Sequence, residues 1–321
     1  MRSLISQISI HKLEVFCTVA ELGSVSRAAD RLGIAQPVVS AHLKALGQKF
    51  GTPLTVRQGR QVRLTEMGQR VFKWSQDIVS RTRELEREMA DSRRGLLGKA
   101  VVGASMTIGS YVLPALVTDF HRRFPRGEVS VRVATPQFIT EAVHSGDCDF
   151  AFTILAPRYE TDGLEVQHVL DEHLVLVAPP AMTIPDHPLS ARELGDLPYV
   201  AAEYGSPRRD MEDALLEDRG IERKRVEIEL GHAESLKQAV RCGAGAAFLF
   251  RASVREELAA GTLREIRTQT AGLATPVYRI CRRGKELSSY QRLLMDDLTD
   301  AVCSHPDNPA QDMPQDAALP A

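Results

Sequence analysis

The chain is poor in the residues that would mark a secreted scaffold, a metal centre or a membrane protein. It has five cysteines in 321 residues and none in a C-x-x-C spacing. That argues against a disulfide framework and a cysteine-based zinc site and for a reducing, cytoplasmic compartment. No run approaches the ~18 uninterrupted apolar residues of a membrane span. The N-terminal MRSLISQISIHKLEVF lacks the apolar core and small-residue cleavage site of an export signal. No G-x-S-x-G elbow, P-loop or H-E-x-x-H occurs, and the histidines show no metal spacing. The CGAGAAF run at Gly243 and Gly245 follows a helical stretch and precedes an apolar one, the reverse of a dinucleotide fingerprint. No catalysis, metal or cofactor is therefore expected. Cys242, beside Arg241, is the one thiol in a setting open to redox chemistry; Cys17 and Cys148 lie in apolar contexts that point to a core role.

Hydrophobic residues make up 43% of the chain, enough for two or three cores. The net charge of −2 hides an asymmetry: residues 1–94 hold 16 Lys and Arg against 9 Asp and Glu, a net of +7, and the remainder holds 24 against 33, a net of −9. A polyanionic partner would meet the front, although chance unevenness of a solvated surface has the same signature.

Ser24 to Gly51 reads as two short helices around a tight turn. Ser24 caps the first, Ala28, Ala29 and Leu32 form its apolar face, and Gly33 ends it. Gln36 and Pro37 open the second, where proline costs least; Val38, Val39, Leu43 and Leu46 supply its buried side, and Gln36, Ser40, His42 and Lys44 can face outward. This is the outline of a helix-turn-helix, and equally of an ordinary helical hairpin. A preceding helix, His11 to Ala20, offers Leu13, Phe16, Cys17 and Ala20 as a third wall. Leu54 to Leu64 reads as a two-stranded wing turning near Gln58-Gly59. Its Arg57, Arg60 and Arg63 suit phosphates or a minor groove, or form a solvated basic loop.

Thr65 then begins a long helix. Met67, Val71, Trp74, Ile78, Leu85 and Met89 recur near heptad spacing, with Thr82 at one seam position. That seam suits dimerisation, or packing on the chain's own body. Residues 91–98 read as a hinge. Beyond it, strands and helices alternate (strands at 99–104, 129–134 and 149–152; helices near 111–116 and 138–143), which implies a parallel sheet covered by helices. Ser105 and Thr107 sit where a strand runs into a helix, and Thr135 at the next such corner. Such corners bind anions, or the hydroxyls merely cap.

The segment AELGSVSRAADRLGIAQPVVSAHLKAL, with GTPLTVRQGRQVRLTEMGQRV, closely resembles the LysR-type transcriptional regulators, over about Leu13 to Trp74. LPALVTDFHRRFP, SGDCDFAF, HPLS, AESLKQAVRCGAGAAFLF and ELAAGTL resemble the family's effector domain more loosely. Two departures stand out. The family usually has Leu-Glu where this chain has Leu46-Gly47, and Leu-Phe-x-Arg where it has Leu54-Thr55-Val56-Arg57. Gly47 costs about 1 kcal/mol of helix propensity, and Thr55 lacks the bulk to anchor wing to core.

The resemblance implies a multidomain α+β and α/β protein. A winged helix-turn-helix spans 1–65, a linker dimerisation helix 66–94, and a two-lobed periplasmic-binding-protein-like α/β effector domain 95–304. Lobe I takes about 99–167 and 273–302, and lobe II about 168–272; the Pro- and Asp-rich 305–321 is expected to be disordered. The implied function is a homodimeric or homotetrameric transcriptional regulator of double-stranded DNA, with RNA polymerase as a further candidate partner. A small, anionic metabolite would alter its promoter binding or DNA bending. Ser24, Gln36, Pro37, Ser40, His42, Lys44, Arg57, Arg60 and Arg63 would serve DNA. Ser105, Thr107 and Thr135, then Phe152, Tyr204, His232 and Phe248, would serve the effector, with Arg208 a possible clamp and Phe138 packing on it. The competing classes are a solute-binding module without specific DNA regulation and a structural DNA-bending protein.

Overall fold

A computed structural model describes residues 8–58, 61–93, 98–155, 161–270 and 272–305, with the side chains of 84, 87, 88 and 90–93 excepted. Arg60, hinge residues 94–97 and the tail beyond His305 lie outside the described residues.

The head is built from α1 (Ile10–Leu22), α2 (Val25–Leu32), α3 (Gln36–Phe50), β1 (Thr55–Gln58) and β2 (Gln61–Leu64). Ser24 accepts the Arg27 N–H at 3.4 Å and so starts α2, and Gly33, in the left-handed region at φ 65°, ends it. Val39 and Leu46 of α3 are buried, but Val38 is 42% exposed. The sequence had placed Val38 in the core. It falls off the 39–43–46 stripe by about 100°, and the stripe alone packs against α1 and α2. The wing strands pair antiparallel, Thr55 with Leu64 through Gln58 with Gln61.

Thr65 joins wing to linker. Its hydroxyl donates to the Pro53 carbonyl and accepts the Gly68 N–H, each at 2.9 Å. The linker helix α4 (Glu66–Arg93) then lies so close to the Leu54 carbonyl that a Cβ at Gly68 would overlap it. That is why glycine stands here, in the first turn of the helix. Val71, Ser75 and Val79 of α4 are buried. Val71 and Val79 join Leu13 and Phe16 of α1, with Ile78 packed beside them. Val71, assigned from sequence to a seam between chains, thus packs within its own.

The first lobe follows: β3 (Gly98–Ser105), a π-turn at Ile108–Val112, α5 (Leu113–Arg123), β4 (Gly127–Ala134), α6 (Pro136–His144) and β5 (Phe150–Ile154). Strand β6 (Leu164–Ala178) leads into the second lobe. There lie α7 (Ala191–Gly195), β7 (Pro198–Ala202), α8 (Pro207–Glu217), β8 (Arg225–Leu230), α9 (Ala233–Arg241), β9 (Ala247–Phe250), α10 (Arg251–Ala259) and β10 (Arg264–Glu265). Strand β11 (Leu273–Arg282) returns to the first lobe and α11 (Ser289–Cys303) closes it.

The sheet is mixed, not purely parallel. β3 pairs parallel with β4 and β5, while β11 runs antiparallel to both β5 and β6. β6 and β11 are the two crossing connections. Each contributes to the cores of both lobes, Leu170 and Val277 to one and Leu174 and Leu273 to the other. A lobe boundary at residue 168 therefore falls inside one continuous strand. The Asp149 carboxylate, 0% exposed, takes the Lys285 ammonium at 2.8 Å and the Val101 N–H at 2.7 Å and pins β11's end to β3.

Candidate nucleic-acid interface and effector cleft

Helix α3 turns Gln36, Pro37, Ala41, Lys44 and Gln48 to solvent, and the last four follow helical spacing along one face. Ala41 and Gln48 were not singled out from sequence, although that spacing could have found them. Exposed Val38 adds an apolar group suited to a thymine methyl. Ser40 is half-buried. His42 turns back instead: its ring meets His11 edge-on at 5.4 Å, and partial burial, then His11 and Lys12, lower its pKa. Ser24 caps α2 with the same hydroxyl that was a DNA candidate. In the wing, the register puts Arg57 with Thr55 and Val62 on the face toward α3, and Arg63 with Val56 on the other. The two exposed arginines therefore leave the wing from opposite faces.

Along α4, Met67, Trp74, Leu85 and Met89 are 42–57% exposed. They form a stripe separate from the Val71–Ser75–Val79 face that packs on α1.

In the two-lobed body the strand-to-helix corners carry unused hydroxyls. Ser105, at the end of β3, is 4% exposed, and its buried oxygen has no hydrogen-bond partner among the described residues. Thr107, 7% exposed, precedes the π-turn without capping it, and exposed Thr135 precedes α6 likewise. The capping alternative thus fails for Thr107 and Thr135. Phe138 is 68% exposed at the α6 N-terminus. Across from this corner Tyr111, on the π-turn, donates to Glu234 of α9 at 2.8 Å. Lys237 reaches Glu234 and Glu257 at 2.9 Å each. Burial would raise the Glu234 carboxyl, but hydrogen bonds from Lys237, Gln238 and Tyr111 outweigh it and hold it at about 2.

Five other effector candidates are placed differently. Phe152 is fully buried, its ring 6.0 Å from Phe150 in the lobe I core. Phe248 is 3% exposed and stacked on Tyr199. Apolar strand residues, these serve packing rather than an open cleft. His232 is exposed, and its Nδ1 accepts the Glu234 N–H at 3.2 Å as the cap of α9. Arg208 is committed to Glu212 at 2.7 Å and to the Phe248 carbonyl. Tyr204, 80% exposed, remains open in the loop after β7. The sequence missed Tyr111 and Glu234, because a contact across 123 positions leaves no local signal.

Burial pushes the Cys17 and Cys148 thiols up to about 12 and about 11, so both are inert. Among the described residues no His, Cys, Asp and Glu group could hold a metal ion, and no helix is long and apolar enough to cross a membrane.

Residues 10–69 match the family model for the bacterial regulatory helix-turn-helix protein, lysR family, and residues 93–302 the model for the LysR substrate binding domain. A probable RuBisCO transcriptional regulator of Cyanidioschyzon merolae is 31% identical over 281 residues, covering 85% of this chain and 91% of that protein. The HTH-type transcriptional regulator YeiE of Escherichia coli K12 is 30% identical over 289 residues, covering 90% and 96%. The crystal structure of ArgP from Mycobacterium tuberculosis superposes with a TM-score of 0.63 at 22% identity, covering 91% of this chain and 96% of that one. With a helix-turn-helix head, a linker helix and a two-lobed effector-binding domain, the chain belongs to the LysR-type family of DNA-binding transcriptional regulators.

Proposed function

We propose that this regulator senses a small anionic metabolite at the corner formed by Ser105, Thr107 and Thr135, and that the ligand changes how a dimer or tetramer holds its promoter. The observation that carries the reading is the Ser105 hydroxyl, buried without a partner beside two threonines whose side chains cap nothing. An unpaired buried hydroxyl costs about 1–3 kcal/mol, and a ligand oxyanion also meeting the free N–H groups of α6 removes that cost. The exposed stripe on α4 supports pairing of two chains, which sets two heads at one spacing.

The ligand must favour one arrangement of the lobes for this to work. A thermal-shift screen of small carboxylates and aromatic acids tests it: a stabilising acid should lose most of its effect in Ser105→Ala and Thr107→Val. An acid whose effect survives both changes places the site elsewhere. On the DNA side, Gln36→Ala should reduce sequence discrimination, whereas Arg57→Gln should weaken all duplexes and flatten the salt slope by about one unit. Gel shifts with a scrambled competitor read both. Binding without sequence preference would favour a DNA-bending protein instead.

A further inference from the structure

The head contains a cavity of about 650 Å³ between the recognition helix and the wing. Its walls are self-consistent. Ser40, Leu43, Lys44, Gly47, Gln48 and Gly51 line it from α3, with the spacing of a single helical face, while Thr55, Arg57 and Val62 line it from the wing face toward α3. The floor is apolar, formed by Val25, Leu43, Leu54 and Val62. Both departures from the family pattern, Gly47 and Thr55, lie on its wall. They had suggested only a loosely held head. Brought together, two small residues line a space into which a phenylalanine at 55 would project. Gly47 is also fitted to its place, since a Cβ there would come within 3.2 Å of the Thr52 carbonyl.

Lys44 and Arg57 border the space from opposite walls. Both are exposed, and neither makes an ion pair with a described residue. An apolar floor under two unpaired cations selects an anion with an apolar body, and the volume lies within the usual range of small-molecule pockets, about 300–1,000 Å³. We propose that this cavity is a second small-molecule site, in the head itself, for an aromatic or short aliphatic carboxylate or sulfonate. Its ligand engages Lys44 and Arg57, the two cations that the proposed DNA-binding reading turns to the phosphates. Occupancy and DNA binding are therefore mutually exclusive, and release from DNA needs no movement of the effector lobes.

The probe is anilinonaphthalene sulfonate, titrated by fluorescence into the full chain at low salt. Its uncharged parent, phenylnaphthylamine, is the comparator, and a short generic duplex the competitor. One bound component of the sulfonate should be expelled by the duplex and largely lost in Thr55→Phe, which puts a ring into the space between wing and α3. In Lys44→Gln/Arg57→Gln that component should weaken several-fold while phenylnaphthylamine binding holds. Both positions are exposed, so this variant decides alone if Thr55→Phe does not fold by circular dichroism. The site is refuted if no duplex-sensitive component exists, if it persists in folded Thr55→Phe, or if the charge-neutral pair leaves it unchanged. A duplex-sensitive component that survives folded Thr55→Phe belongs to the exposed α4 stripe or the effector cleft and counts against the proposal. Gel shifts of the same variants report DNA binding separately, so failure of the cavity and failure of the regulator reading are distinguishable.

Discussion

Gly68 and Glu234 illustrate how single residues carry the architecture. Gly68 allows the start of α4 to press on the Leu54 carbonyl. Gly68→Ala forces wing and linker apart and should cost about 1–3 kcal/mol despite alanine's better helix propensity, read as a lower midpoint in urea. Glu234 shows a pH effect. Its folded pKa, about 2, lies below its ordinary value of 4.5. Its ties to Tyr111 and Lys237 therefore stabilise the fold fully above pH 4.5, and that contribution fades as pH falls from 4.5 toward 2. Glu234→Gln should be less stable than the parent at pH 7, with a gap that narrows through this window. Melting temperatures across pH 2–7 test this, and a gap independent of pH would assign the effect to packing.

At the scale of elements, α4 has two apolar faces with separate fates. Val71 and Val79 close the head's core, while Met67, Trp74, Leu85 and Met89 are exposed. Heptad spacing in the sequence merged the two, because Val71 falls at an allowed interval from Met67 and Trp74. Only the position of α1 separates them. Leu85→Glu should therefore lower the association state without unfolding the head, since Leu85 is 57% exposed. Analytical ultracentrifugation checks the mass and circular dichroism the helix content. In the wing, β-pairing gives Arg57 and Arg63 opposite faces, which their even spacing in sequence did not reveal. Phe152 and Phe248 failed as effector candidates for a related reason: an aromatic in an apolar strand has the same local pattern whether it faces a cleft or a core.

The whole molecule joins its head to its body through charge. Asp147, just past the C-terminal end of α6, lies 4.0 Å from Arg31 of α2 and 3.8 Å from Arg83 of α4, while Arg83 also reaches Glu14 of α1 at 3.0 Å. Lys73–Asp162 and Asp77–Arg282 add contacts along the same helix, at 3.5 and 3.8 Å. Each exposed pair contributes only about 0–1 kcal/mol, so the head is held by several weak ties that salt can loosen. Asp147→Lys sets like charges against Arg31 and Arg83. It should increase the radius of gyration in small-angle scattering at low salt, with parent and variant converging at high salt. Helix α6 thus runs from the proposed ligand corner at Thr135 to the contact with the head.

Local spacing alone determined much of this protein. Short-range rules of capping, helix period and turn chemistry act within a few residues, so the two-helix motif, the wing, the long linker and the strand-to-helix corners could be read from the chain. Tertiary structure decided which side of each element is used. It separated Val38 from the core, gave α4 its two faces, buried Phe152 and Phe248, and tied Tyr111 to Glu234. It also brought Gly47 and Thr55 to one cavity, although each is an isolated departure in sequence. The physical reason is that burial and charge pairing depend on neighbours distant in the chain, and a periodic pattern specifies a face without naming what covers it.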